Sequence, residues 1–160
     1  MKNIKFFFIA ISLAAIPLTQ CSESKETDTE KPVINMDQED AFPKPCDTIF
    51  AGRSFTFKAV FSDNVELGSY NIELHNNFDH HTHGSHTETC TLDPDKNPVN
   101  PFYFNQNYEI VSGSKTYNAE TTVAVPDDID SGDYHFMVKL TDKEGWQSWS
   151  SVSVKIEPAP

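Results

Sequence analysis

Five of the chain's six histidines fall within twelve residues, His75-Asn-Asn-Phe-Asp-His-His-Thr-His-Gly-Ser-His86. Neutral imidazole is the commonest side-chain ligand for zinc, copper(II) and nickel, so this density reads first as a metal-binding segment. In extended backbone, residues two apart share one face and stand about 7 Å apart. His81 and His83 form such a pair. Continuing the same alternation puts His75, Asn77, Asp79, His81 and His83 on one side, facing solvent. His80 and His86 would join them through the bend that Gly84-Ser85 permits. An incidental polar loop has the same composition, and that alternative stays open.

The donor set narrows the metal. Met36 and Met137 are isolated, so no thioether cluster favours copper(I). Imidazoles, with Asp79 as a carboxylate, point to zinc or copper(II), and nickel fits the same donors. Ligands bind deprotonated, so affinity should fall as pH drops below about 6 to 6.5. H-E-x-x-H, a G-x-S-x-G elbow and a glycine-rich phosphate loop are all absent, so an enzyme is not expected.

Three cysteines have separate readings. Residues 1–20 combine Lys2 and Lys5 with an apolar run from Phe6 to Leu18, the form of an export signal. Leu18-Thr-Gln-Cys21 resembles the lipobox of bacterial lipoproteins, although Gln20 stands where a small residue is usual. The lipobox of Bacteroidota lipoproteins is looser. The resemblance implies a signal peptide over 1–20 and lipidation of Cys21. The stretch 22–31 has no apolar residue, so 21–31 is expected to be a flexible tether. Its acidic residues resemble the signal that sends such lipoproteins to the outer face of the outer membrane. Cys46 and Cys90 remain, and in an oxidising compartment a disulfide is the natural reading. The competing one makes Cys90 a metal thiolate and leaves Cys46 unpaired.

Residues 32–160 must position the histidines. Hydrophobic content of 38% and aromatic content of 12% support a real core. The pattern alternates with period two, and no helical stripe appears. Short runs follow one another: Val33-Ile34 with Thr48 to Ala51 as a second piece, then Phe55 to Phe61, Tyr70 to Leu74, Phe102 to Val111, Thr116 to Val125, Tyr134 to Leu140, and Val152 to Ile156. Ser62-Asp63-Asn64, Pro126-Asp127-Asp128 and Asp142 to Gly145 read as turns, and Leu92 to Pro101 as loop. This predicts an all-β fold, an immunoglobulin-like antiparallel sandwich of about seven strands, after the N-terminal signal segment. In that fold the third and sixth strands are antiparallel neighbours. His135, at the start of the sixth, should then lie beside His75 at the end of the third and join the candidate ligands.

Asp130-Ser-Gly-Asp-Tyr134 resembles the tyrosine corner of immunoglobulin-like domains. The stretch through Asp142 and Gly145 is similar to bacterial immunoglobulin-like and cadherin-like surface domains. Together with the His75-Asn-Asn-Phe-Asp-His-His motif, the chain resembles a Bacteroidota family of immunoglobulin-like lipoproteins of unknown function. The resemblance implies a fold and an outer-membrane location, and no activity.

A formal net charge of −12 repels phosphate backbones, so nucleic acid is not an expected partner. The leading reading is a lipid-anchored domain that captures or delivers a metal ion, with a cell-envelope protein as possible partner. The alternative is an accessory module for carbohydrate or protein, with Tyr103, Trp146 and Trp149 as contacts. Both tryptophans flank the last turn and are expected to pack into the core or the corner instead. A small metalloenzyme, with Glu73 or Glu88 as base, is the third reading.

Overall fold

The computed structural model describes residues 27–83 and 90–160. The signal segment, Cys21, His86 and Glu88 lie outside the described residues. Eight strands follow in order: β1 (Val33–Asn35), β2 (Thr48–Ala51), β3 (Ser54–Ser62), β4 (Leu67–Asn76), β5 (Phe104–Glu109), β6 (Thr116–Ala124), β7 (Gly132–Asp142) and β8 (Gln147–Pro158). They form two sheets, ordered β1-β3-β6 and β2-β8-β7-β4-β5. Packed on one shared core, these make an immunoglobulin-like sandwich.

Alternation decides which residues fill that core. Phe57, Ala59 and Phe61 of β3 point inward, as do Tyr70, Ile72 and Leu74 of β4. Tyr134, Phe136, Val138 and Leu140 of β7 complete the central layer. Phe57 packs on Phe136 with ring centroids 5.4 Å apart, and Phe61 on Tyr70 at 5.2 Å. Each such side chain stabilises the fold by roughly 1.5–3 kcal/mol on burial. A one-residue slip would turn these rows to solvent, so the register is firmly set.

The edge departs from the expected antiparallel pattern. β1 pairs antiparallel with β3, whereas β2 pairs parallel with β8 in the other sheet. Both are pieces of one edge strand, and Pro43 and Pro45 lie between them. Proline has no N–H to give a ladder, so the strand breaks there and changes sheets. That break makes the count eight.

Tyr134 forms the expected corner: its hydroxyl donates to the Asp130 carbonyl at 2.6 Å and accepts from the Phe102 N–H at 3.1 Å. The tryptophans do not join it. Trp149 is 74% exposed and Trp146 41%. Trp149 has the opposite parity to Val152, Val154 and Ile156, so β8 turns it outward. Residues 27–31 do not run free of the domain either. Asp28 is buried, and its carboxylate accepts from the Asn64 amide at 2.9 Å and the Glu30 N–H at 3.0 Å. Hydrogen bonds order a segment that apolar burial alone would leave loose.

Cys46 and Cys90 form a disulfide, with Cα atoms 5.4 Å apart and 44 residues of separation. The Cys46 N–H donates to the Ser153 carbonyl at 2.8 Å, fixing the bridge against β8. Loop closure of this length stabilises by about 4 kcal/mol. Cys90 is therefore no thiolate ligand.

Candidate metal centre

β4 and β7 run side by side with His75 directly opposite His135. Leu74, Tyr134 and Phe136 fill the core, so both histidines project from the outer face of the five-stranded sheet. That face is not open here. Five consecutive residues, Gly132 to Phe136, are buried, and His135 is only 3% exposed. The chain after β4 covers them.

That covering comes from a turn where continued strand was expected. The Asn77 N–H donates to the Asp133 carbonyl at 2.8 Å, and the His80 N–H to the Asn77 carbonyl at 3.2 Å. His80 has a φ of 55°, in the left-handed region that L side chains seldom adopt. Phe78 anchors the reversal. It is buried edge-on against Tyr134, with centroids 5.3 Å apart, and the Lys96 ammonium lies 4.2 Å from its ring centre. Gly132 makes room: it has a φ of 127°, and a Cβ there would come within 3.2 Å of the Phe78 ring. His81 and His83 thus return over His75 and His135 instead of running off the strand.

The four rings cluster, with centroids of every pair from 4.8 to 5.7 Å apart. Ligand nitrogens of His75, His81 and His83 all lie within 4.8 Å of one another. His75 Nε2 is 3.3 Å from His81 Nε2 and 2.9 Å from His83 Nε2. The Nδ1 atoms of His75 and His81 each face a carboxylate. Asp79 Oδ1 lies 2.5 Å from His81 Nδ1, and Glu73 Oε1 lies 3.0 Å from His75 Nδ1. The Glu73 contact is close but off the line of a hydrogen bond, so it acts through charge more than direction. Both carboxylates favour the proton on Nδ1, which leaves two Nε2 lone pairs facing each other.

Facing lone pairs repel unless a cation stands between them. Zinc–nitrogen bonds of about 2.0–2.1 Å set tetrahedral N···N edges near 3.3–3.4 Å, close to the His75–His81 spacing. The three imidazoles can hold one metal ion. His135 supports them from below: its Nε2–H donates to the His81 carbonyl at 2.9 Å. Its Nδ1 is buried with no hydrogen-bond partner among the described residues. Burial is the main force that pushes His135 down to about 4; the hydrogen bond to the His81 carbonyl opposes it, and the neighbouring imidazoles add to it. Burial likewise lowers His75, opposed by the Glu73 charge. Both rings are held neutral, the form a metal requires. The His81 ring N–H in turn holds Asp79 below the usual carboxylate range.

Not every predicted residue meets here. Asp79 orients His81 and stands beside the nitrogens, not among them. His80 lies apart, with its Nδ1 2.7 Å from Asp95 Oδ1. The left-handed turn at His80 sends its ring toward the 90–101 loop. His86 lies outside the described residues. The supporting roles of Glu73 and Asp133 did not follow from the sequence. Glu73, two residues before His75 on the same face, was legible as a neighbour; its anchor to the Asn105 amide at 3.1 Å was not. Asp133 is buried and accepts the Asp93 N–H at 2.7 Å, pinning the loop beside His80. Nothing in its local sequence marks that role.

No curated protein matches the chain. Among solved structures, the GspB Siglec domain is similar at 18% identity with a TM-score of 0.44, over 83% of this chain and 60% of that one. Spo0M, a sporulation control protein from Bacillus subtilis, is similar at 12% identity with a TM-score of 0.39, over 81% and 50%. The chain thus spans less than two thirds of either structure. Residues 19–157 match the family described as "Domain of unknown function (DUF4625)", and the chain belongs to that family.

Proposed function

We propose that this chain is a lipid-anchored, immunoglobulin-like protein of the bacterial cell envelope that captures or delivers one divalent transition-metal ion. His75, His81 and His83 are the ligands, and zinc or copper(II) is the ion. One observation carries the reading: the Nε2 atoms of His75 and His81 stand 3.3 Å apart while their Nδ1 atoms face Glu73 and Asp79. Three protein ligands leave a position for exchange, which suits a carrier that must release its ion. Binding is favoured over catalysis because, among the described residues, Glu73 and Asp79 beside the rings already face ring nitrogens, so neither is free as a base. Lipidation at Cys21 would put the domain on the outer membrane, most naturally on the cell surface, as in the Bacteroidota lipoproteins it resembles. A cell-envelope protein is then the expected donor or recipient.

Calorimetric titration of the chelator-treated protein with zinc tests the site. One equivalent should bind, and His81→Ala with His83→Ala should weaken binding by at least about 100-fold. Unchanged stoichiometry and affinity in the double variant would remove the site.

A second reading has one observation of its own. Trp149, Lys139, Asn71 and Asn107 lie in register across the outer face of the five-stranded sheet. Trp149 is exposed at one edge of this polar row, as an accessory module for carbohydrate would require. Retention on a polysaccharide gel that is lost in Trp149→Ala and indifferent to chelator would favour it.

A further inference from the structure

Three carboxylates meet at the opposite end of the same sheet from the histidines. Asp63 follows β3, Asp142 ends β7, and Asp28 precedes β1. One oxygen of each lies within 4.8 Å of the others. Asp28 and Asp142 are 5% and 4% exposed. Each carboxylate has one oxygen tied down. Asp63 Oδ2 accepts the N–H groups of Val65 and Glu66, at 2.8 and 2.7 Å. Asp142 Oδ1 accepts those of Gly145 and Trp146, at 2.6 and 2.8 Å. Asp28 Oδ1 is held by Glu30 and Asn64, as described above.

The second oxygen of each is the informative one. Asp28 Oδ2, Asp63 Oδ1 and Asp142 Oδ2 are all buried with no hydrogen-bond partner among the described residues. None of the three carboxylates forms an ion pair there either. Three converging, desolvated negative charges without a counter-charge are unfavourable unless a cation joins them. Turn capping explains the bonded oxygens and leaves the free ones unexplained.

We propose that Asp28, Asp63 and Asp142 bind a calcium ion. The donors are all hard oxygens, with no imidazole or thiolate, which selects against transition metals. Calcium–oxygen distances of about 2.3–2.6 Å allow two ligands on one ion to stand up to roughly 4.6–5.2 Å apart. Magnesium commonly keeps its waters and takes one or two carboxylates, so three acidic groups from separate segments suit calcium better. The ion would clasp the N-terminal segment to the turns after β3 and β7. Calcium would add to the hydrogen bonds that already hold Asp28 to Asn64 and Trp146.

Trp146 supplies a reporter. Its indole N–H donates to the Asp28 carbonyl at 3.0 Å, and its backbone N–H caps Asp142. Calcium should be titrated into the chelator-treated protein in zinc-free buffer, read by tryptophan fluorescence and calorimetry, with the melting temperature measured in parallel. One equivalent should bind with a Kd of about 10⁻⁵ to 10⁻³ M. At 100 times Kd the melting temperature should rise by on the order of 5–10 °C. Asp63→Asn and Asp142→Asn can each keep an oxygen for the backbone donors. Both should bind calcium at least about tenfold more weakly and lose the thermal shift, while melting no lower than the wild type without calcium. If either fails to fold, Asp28→Asn, which lies outside both sheets, should give the same loss. No saturable response up to 10 mM calcium, an equal response in the variants, or an equal shift from magnesium would each overturn the assignment.

Discussion

At the scale of single residues, His135 carries a burden that a solvent-facing histidine would not. It is buried beneath three other imidazoles, and among the described residues its hydrogen bond is to the His81 carbonyl. Its folded value of about 4 lies below the ordinary one, so the unfolded chain takes up its proton first as pH falls. Its contribution to stability is complete above about pH 6.5 and is lost progressively toward pH 4. The loss is on the order of 3 kcal/mol for so desolvated a ring. Urea unfolding of the metal-free protein should therefore show stability dropping from pH 6.5 to 5, with a visibly shallower slope in His135→Gln. Equal slopes would show that the ring is not held neutral. The position of His135 beside His75 followed from strand order in the sequence. Its burial did not, because the residues that cover it come from a turn that alternation could not foresee.

Among the elements, the turn from Asn77 to His80 matters most. It converts a linear run of histidines into a cluster, and Phe78 is its apolar anchor. Phe78→Ala should cost about 3–4 kcal/mol by denaturant unfolding, since it removes a buried ring and leaves a cavity. Zinc affinity should also fall by at least about tenfold, because His81 and His83 lose their return path over the sheet. Destabilisation with unchanged zinc affinity would mean the loop is positioned by something else. Strand rows such as Phe57, Ala59 and Phe61 were legible because a period of two is a strong signal over nine residues. Phe78 was not, since a lone apolar residue among polar neighbours has no period. Trp149 differs: it faces outward because its parity on β8, opposite to Val152 and Val154, prevails over its closeness to the turn.

For the whole molecule, the sandwich places two different donor sets at opposite ends of one sheet. His135 and Asp142 stand seven residues apart along β7, about 23 Å of extended strand. Borderline imidazoles gather where β4 ends and hard carboxylates where β7 ends. The net charge of −12 favours cations at both. The histidines were conspicuous in the sequence because they are contiguous. Asp63 and Asp142 read only as turn residues and Asp28 as part of the tether, because the three come from distant segments that the fold alone brings together. The disulfide acts at this scale too, tying the chain after the histidine segment back to the β8 edge. The claim on which the rest depends is that His75 and His81 offer Nε2 to a metal while keeping Nδ1 protonated. Long-range proton–nitrogen NMR of the imidazoles, before and after one equivalent of zinc, reads this directly. Zinc should shift the Nε2 resonances of His75, His81 and His83, with Nδ1 of His75 and His81 still protonated. Coordination through Nδ1 at His75 or His81, or imidazole spectra unmoved by zinc, would contradict it.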